Sequence, residues 1–123
     1  MTPQKFEFTN YNVPVDIAGH TFTLDCSSET GDYLKSVSEN FRSLAREIGS
    51  GEKSVEDAAE YGMQVLDHLL GKGAADTIFT GRKKRVSDIT DVCLFLTDVA
   101  ARFQEERTKL NGNRAQRRGT KTK

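Results

Sequence analysis

The stretch "VPVDIAGHTFTLD", residues 13–25, decides the fold class. Val13, Val15 and Ile17 alternate with other residues, and Phe22 and Leu24 resume the alternation after Ala18-Gly19. Period two over this length marks half-buried strands. A two-residue break containing Gly, which reaches φ > 0 at little cost, marks a hairpin turn. A turn at Ala18-Gly19 pairs Ile17 with His20, Val15 with Phe22 and Val13 with Leu24, so the apolar side chains share one face. A lone hairpin is marginal in water, and that face therefore needs helices or another subunit on it. Upstream, "KFEF" at residues 5–8 also alternates and is a candidate third short strand.

Downstream the period changes to that of helices. Ser27 or Ser28 can cap a first helix, in which Leu34, Val37, Phe41, Leu44 and Ile48 form one stripe; Gly49 is the expected stop. A second helix opens on "SVED", where Ser54 caps and Asp57 returns the capping-box bond. It carries Ala58, Tyr61, Val65, Leu66, Leu69 and Leu70, and stops at Gly71. Residues 74–79 are a short helical turn between two glycines. The last long helix starts at Ser87, with Ile89, Val92, Cys93, Leu96, Val99, Ala100 and Phe103 as its stripe. Leu94 and Phe95 lie beside or opposite that stripe, so this helix is apolar on more than one side. The expected fold is α+β: an N-terminal hairpin packed on three main helices in one domain, residues 1–110. Residues 111–123, "NGNRAQRRGTKTK", lack the apolar content to offset ordering entropy and are expected to be a disordered basic tail.

The formal net charge of zero hides an asymmetry. Residues 1–106 hold 11 Lys/Arg against 18 Asp/Glu, a balance of −7, whereas residues 107–123 hold 7 Lys/Arg and no acid, a balance of +7. No apolar run approaches the length of a membrane span, and "MTPQKFEF" lacks the layout of a secretory signal. A cytosolic protein with Cys26 and Cys93 reduced is therefore expected. Neither His20 nor His68 has a Ser, Cys or paired carboxylate at a catalytic spacing, and no phosphate-binding, zinc-protease or hydrolase motif occurs. The residues point away from an enzyme, a metal site or any cofactor. "GRKKR", residues 81–85, and the tail are the two basic clusters. Neither has interleaved aromatic residues for base stacking, and an acidic body repels a polyanion, so nucleic acid is disfavoured as a partner.

The order of these parts resembles the small tail assembly chaperones of long-tailed, siphovirus-type phages and prophages of Gram-positive bacteria. The likeness runs through "VDIAGHTFTLD", "SGEKSVEDAAEYGMQVLDHLLGKGAADTIF" and "GRKKRVSDITDVCLFLTDV". It is strongest in "LLGKGAADTIFTGRK", residues 69–83, and "NRAQRR", residues 113–118. The resemblance implies a non-enzymatic protein of the host cytoplasm, absent from the finished virion. It would bind the tape measure protein, keep it soluble and recruit tail tube subunits. Phe79, Leu94 and Phe95 are the residues expected to offer apolar contact to an amphipathic partner helix, and Arg114, Arg117 and Arg118 those of the tail expected to touch a partner. Self-association is a further expectation. A structural tail or head-completion protein and a small nucleic-acid-binding regulator are the alternatives.

Overall fold

A computed structural model describes residues 3, 4 and 6–121, with side chains described as far as residue 108. The elements run β1 (Asn12–Ile17), β2 (His20–Asp25), α1 (Ser28–Ser50), α2 (Val55–Leu70), α3 (Ala74–Ile78) and α4 (Val86–Lys121). β1 and β2 form an antiparallel hairpin in the expected register, Val13 opposite Leu24, Val15 opposite Phe22 and Ile17 opposite His20. The turn places both Ala18 (φ 52°) and Gly19 (φ 83°) in the left-handed region. Left-handed backbone is costly for Ala. The Asp16 carboxylate helps to hold the turn by accepting a 3.0 Å bond from the Gly19 N–H. Residues 6–8 form no strand, so the described sheet has two strands rather than three.

The first two helices start on side-chain caps. Ser27 caps α1 by accepting from the Thr30 N–H, and Ser54 and Asp57 close a reciprocal capping box at α2. α1 does not stop at Gly49. It continues to Ser50, because Gly51 is the residue that takes the left-handed conformation (φ 85°), letting the Glu52 N–H donate back to the Glu47 carbonyl at 2.9 Å. α2 ends at Gly71 as expected.

The core is a single cluster. Val15, Ile17 and Leu24 of the hairpin meet Leu34 and Val37 of α1, Val65 and Leu66 of α2, Ile78 and Phe79 around α3, and Ile89, Cys93, Leu96 and Ala100 of α4. α2 and α4 make the most extensive helix–helix contact, and Gly62 lies within it. A Cβ at position 62 would overlap the Ile89 Cγ2 and come into contact with Phe41. The base of the hairpin is fastened to α4 by polar contacts. Gln104 Nε2 donates to the Cys26 carbonyl at 2.7 Å, and Arg107 Nη1 donates to the Tyr11 hydroxyl at 2.7 Å. The Arg107 guanidinium also sits 5.0 Å from the Tyr11 ring centre, and Tyr11 packs on Phe103 at 5.8 Å. Arg107, the first cation of the basic C-terminal stretch, thus belongs to the packed domain. α4 extends past Leu110, where the sequence pattern ends the domain. Side chains from residue 109 onward lie outside the described residues, and the expected disorder of residues 111–123 is not addressed by the described contacts.

Two outcomes follow. Gly62→Ala gains about 1 kcal/mol of helix propensity but overpacks the α2–α4 contact at a cost of about 1–3 kcal/mol. A Tm lowered by several degrees in a thermal melt is expected, and an unchanged or raised Tm would contradict the close approach. The Asp57 carboxyl is held below its ordinary range, first by the Ser54 backbone N–H and then by the Ser54 hydroxyl. A depressed folded pKa stabilises above the unfolded value of about 3.9, and that stabilisation is lost as pH falls through the folded value. Asp57→Ala is therefore less stable than wild type in urea at about pH 7, and the difference shrinks as both are acidified.

Candidate protein-interaction surface

α1 and α4 run antiparallel, and a groove lies between them. Ser27, Gly31, Leu34, Lys35 and Ser38 face Thr97, Ala100, Ala101 and Gln104 across a depression of about 230 Å³. Val37, Ser38, Phe41 and Arg42 face Thr90, Cys93, Leu94 and Thr97 across a second, of about 280 Å³. The two share Ser38 and Thr97 and so form one channel. Its floor is apolar and its small wall residues let a partner approach closely. Phe41, which ends the floor, is held edge-on against Tyr61 at 5.2 Å. Cys93 is buried, and burial pushes its thiol up to about 11, so it stays protonated and adds to the apolar floor.

The electrostatics of this channel differ from those of the neighbouring surface. Its charged lining residues are Lys35 and Arg42, with no carboxylate. The cleft between α1 and α2 is lined by Glu47, Asp57 and Glu60 with Lys53; Lys53 lies 3.7 Å from Glu47, and Asn40 donates to the Tyr61 hydroxyl at 2.8 Å. The depression beside the hairpin tip is lined by Asp88 and Asp91 with Arg82. On a domain with surplus acid, the α1–α4 channel is thus an apolar strip with a basic rim.

The expected contact residues separate. Leu94 is 64% exposed and stands on the channel wall. Phe95 is 43% exposed, but consecutive helical residues point about 100° apart, and Phe95 projects away from the channel. Phe79 is only 5% exposed: it caps α3 and packs in the core, so its side chain is not free to meet a partner. A five-residue helix is too short for periodicity to distinguish its inner side. Arg114, Arg117 and Arg118 lie outside the residues with described side chains. Sequence reasoning missed the channel itself, because small residues such as Gly31, Ser38 and Ala101 carry no hydropathy signal. It also missed Phe6 and Phe8, which are 77% and 88% exposed and touch each other edge-on at 4.9 Å.

Other chemistry is sparse. His68 stacks on Tyr33 with ring centres 4.1 Å apart. Lys84 of the basic loop pairs with Asp76 at 3.1 Å, and its neighbours in "GRKKR" are exposed. Cys26 and Cys93 are both free and buried. Among the described residues no group of His, Cys, Asp and Glu could hold a metal ion, and no helix is long and apolar enough to cross a membrane.

Residues 18–121 match the model of a family of unknown function, DUF6673. The chain belongs to that family. No curated protein and no solved structure matches it.

The separation of roles has an energetic consequence. Phe79→Ala leaves a cavity and is expected to cost about 3–5 kcal/mol, whereas Leu94→Ala should change stability by less than about 0.5 kcal/mol. Urea unfolding of both variants checks this. Equal losses would mean that Leu94 is as buried as Phe79.

Proposed function

We propose that this DUF6673 member is a non-enzymatic tail assembly chaperone of a long-tailed phage or prophage, acting in the host cytoplasm and left out of the finished particle. Its partner is the tape measure protein, held soluble until tail tube subunits are recruited. The observation that supports this most is the α1–α4 channel. An amphipathic helix needs an apolar groove for its buried stripe and charged walls to fix its register. The Leu34, Val37, Phe41 and Ala100 floor, with Leu94, Lys35 and Arg42 above it, has that character. The acidic remainder of the domain keeps an apolar groove compatible with solubility. The likeness of residues 69–83 to tail assembly chaperones supports the same conclusion.

Co-expression with the tape measure protein of the same tail operon tests the proposal. The tape measure protein should be soluble with the wild-type chain and largely insoluble with Leu94→Asp, while the circular dichroism of the variant stays unchanged. Equal solubility of the tape measure protein with and without this chain would refute the proposal. Stoichiometric amounts of the chain in purified particles would favour a structural virion role instead.

A further inference from the structure

The two edges of the hairpin are not alike. The Cys26 N–H donates to the Tyr11 carbonyl at 2.8 Å, so residues 11 and 26 are a hydrogen-bonded pair. Antiparallel pairs alternate between bonded and non-bonded. Val13–Leu24, Val15–Phe22 and Ile17–His20 are therefore bonded inward, and the backbone groups of Asn12, Pro14, Asp16, Thr21, Thr23 and Asp25 point outward. On β1 that outer edge is blunted. Pro14 has no N–H, the Asn12 N–H is taken by Asn10 Oδ1 at 3.1 Å, and the Asp16 carboxylate is folded onto the turn. On the outer edge of β2 the one charged residue, Asp25, stands at the very end, its carboxylate accepting from Ser27 and Thr30 at the start of α1, and the middle of the edge carries no such device. Thr21 and Thr23 are uncharged and β-branched, and among the described residues their outward N–H and C=O groups have no backbone partner. β2 packs on α2, and next to its end lies a depression of about 230 Å³ lined by Tyr33, His68 and Leu69 together with Asp25 and Glu29. A further strand beside β2 would lay alternate side chains over this half-buried surface.

We propose that the β2 edge accepts the Lys5–Thr9 segment of a second copy of this chain as an added antiparallel strand, with Phe6 and Phe8 covering the α2 side of the sheet. The segment alternates, so both rings fall on one face of an extended strand. Those rings are exposed and touch each other in the single chain. The positive charge of Lys5 complements Asp25 and Glu29 at the end of the edge. The chain cannot supply this strand to itself. Its own segment would run parallel to β2, and because Tyr11 is already paired with Cys26, Asn10 alone would have to carry the chain across the end of β2, about 10 Å at two strand spacings against a reach of about 7 Å. Reciprocal exchange between two copies satisfies both edges and both arms.

Sedimentation of the full-length chain over a concentration series, combined with amide hydrogen exchange, tests this. A concentration-dependent dimer is expected, with the Thr21 and Thr23 amides gaining protection as it forms. Phe6→Ser/Phe8→Ser should weaken the dimer by at least about tenfold without changing the circular dichroism. Thr23→Pro, which removes an outward N–H and none of the inward bonds of the hairpin, should weaken it similarly. A dimer that persists unchanged in the double Ser variant overturns the proposal, as does protection that rises elsewhere but not at Thr21 and Thr23. A chain that stays monomeric at about 0.5 mM overturns it as well, since that concentration populates any dimer with a constant tighter than about 1 mM.

Discussion

The close approach of α2 to α4 at Gly62 and Ile89 is the constraint on which the rest of the domain depends. Ile89 is fully buried, and it reaches α2 at Gly62, the one helical glycine among the described residues whose missing Cβ leaves room for it. Val65 and Leu66, a turn along α2, are fully buried, as is Leu96 on α4. Against this pair the hairpin contributes Val15, Ile17 and Leu24, and α1 contributes Leu34 and Val37. Interiors are packed to crystal-like density, so an added methyl at this seam is transmitted to every neighbour. Phe41, which touches both the Gly62 site and the floor of the α1–α4 channel, links the seam to the surface.

That surface follows from how α4 is used. Ile89, Cys93, Leu96 and Ala100 are spent on the core, and Val92 faces the hairpin tip. Leu94 is left on one flank and Phe95 on the other, because no element of the described chain is large enough to cover both sides of so apolar a helix. The flank beside α1 also gathers Lys35 and Arg42 with no opposing carboxylate, which distinguishes it on an otherwise acidic domain. The proposed chaperone role rests on this combination of exposed leucine, small-walled apolar floor and basic rim.

Much of the fold is written in local patterns of the sequence. The hairpin register followed from period-two alternation around Ala18-Gly19, since a one-residue slip would turn Val15 and Leu24 outward. The capping box at Ser54 and Asp57 and the stop at Gly71 were equally local. What failed depended on information from elsewhere in space. Gly49 and Gly51 are equivalent as letters, and only the backbone shows that Gly51 takes the left-handed turn. "KFEF" alternates like a strand, but a strand needs a neighbour, and among the described residues 6–8 pair with none. Phe79 looked available because its helix is too short to show an inner side. Leu94 and Phe95 were correctly seen as surplus to the stripe, but not that they belong to opposite flanks. The α1–α4 channel was invisible because glycine, serine, threonine and alanine shape it by what they lack.

The most direct measurement is hydrogen–deuterium exchange of the chain alone and in complex with the tape measure protein. The proposed role predicts slowed exchange along residues 28–42 of α1 and residues 90–104 of α4, with the α1–α2 cleft around Glu47, Asp57 and Glu60 unchanged. Slowing confined to α2 or to the basic loop at residues 81–85, with the channel helices exchanging as in the free chain, would contradict it.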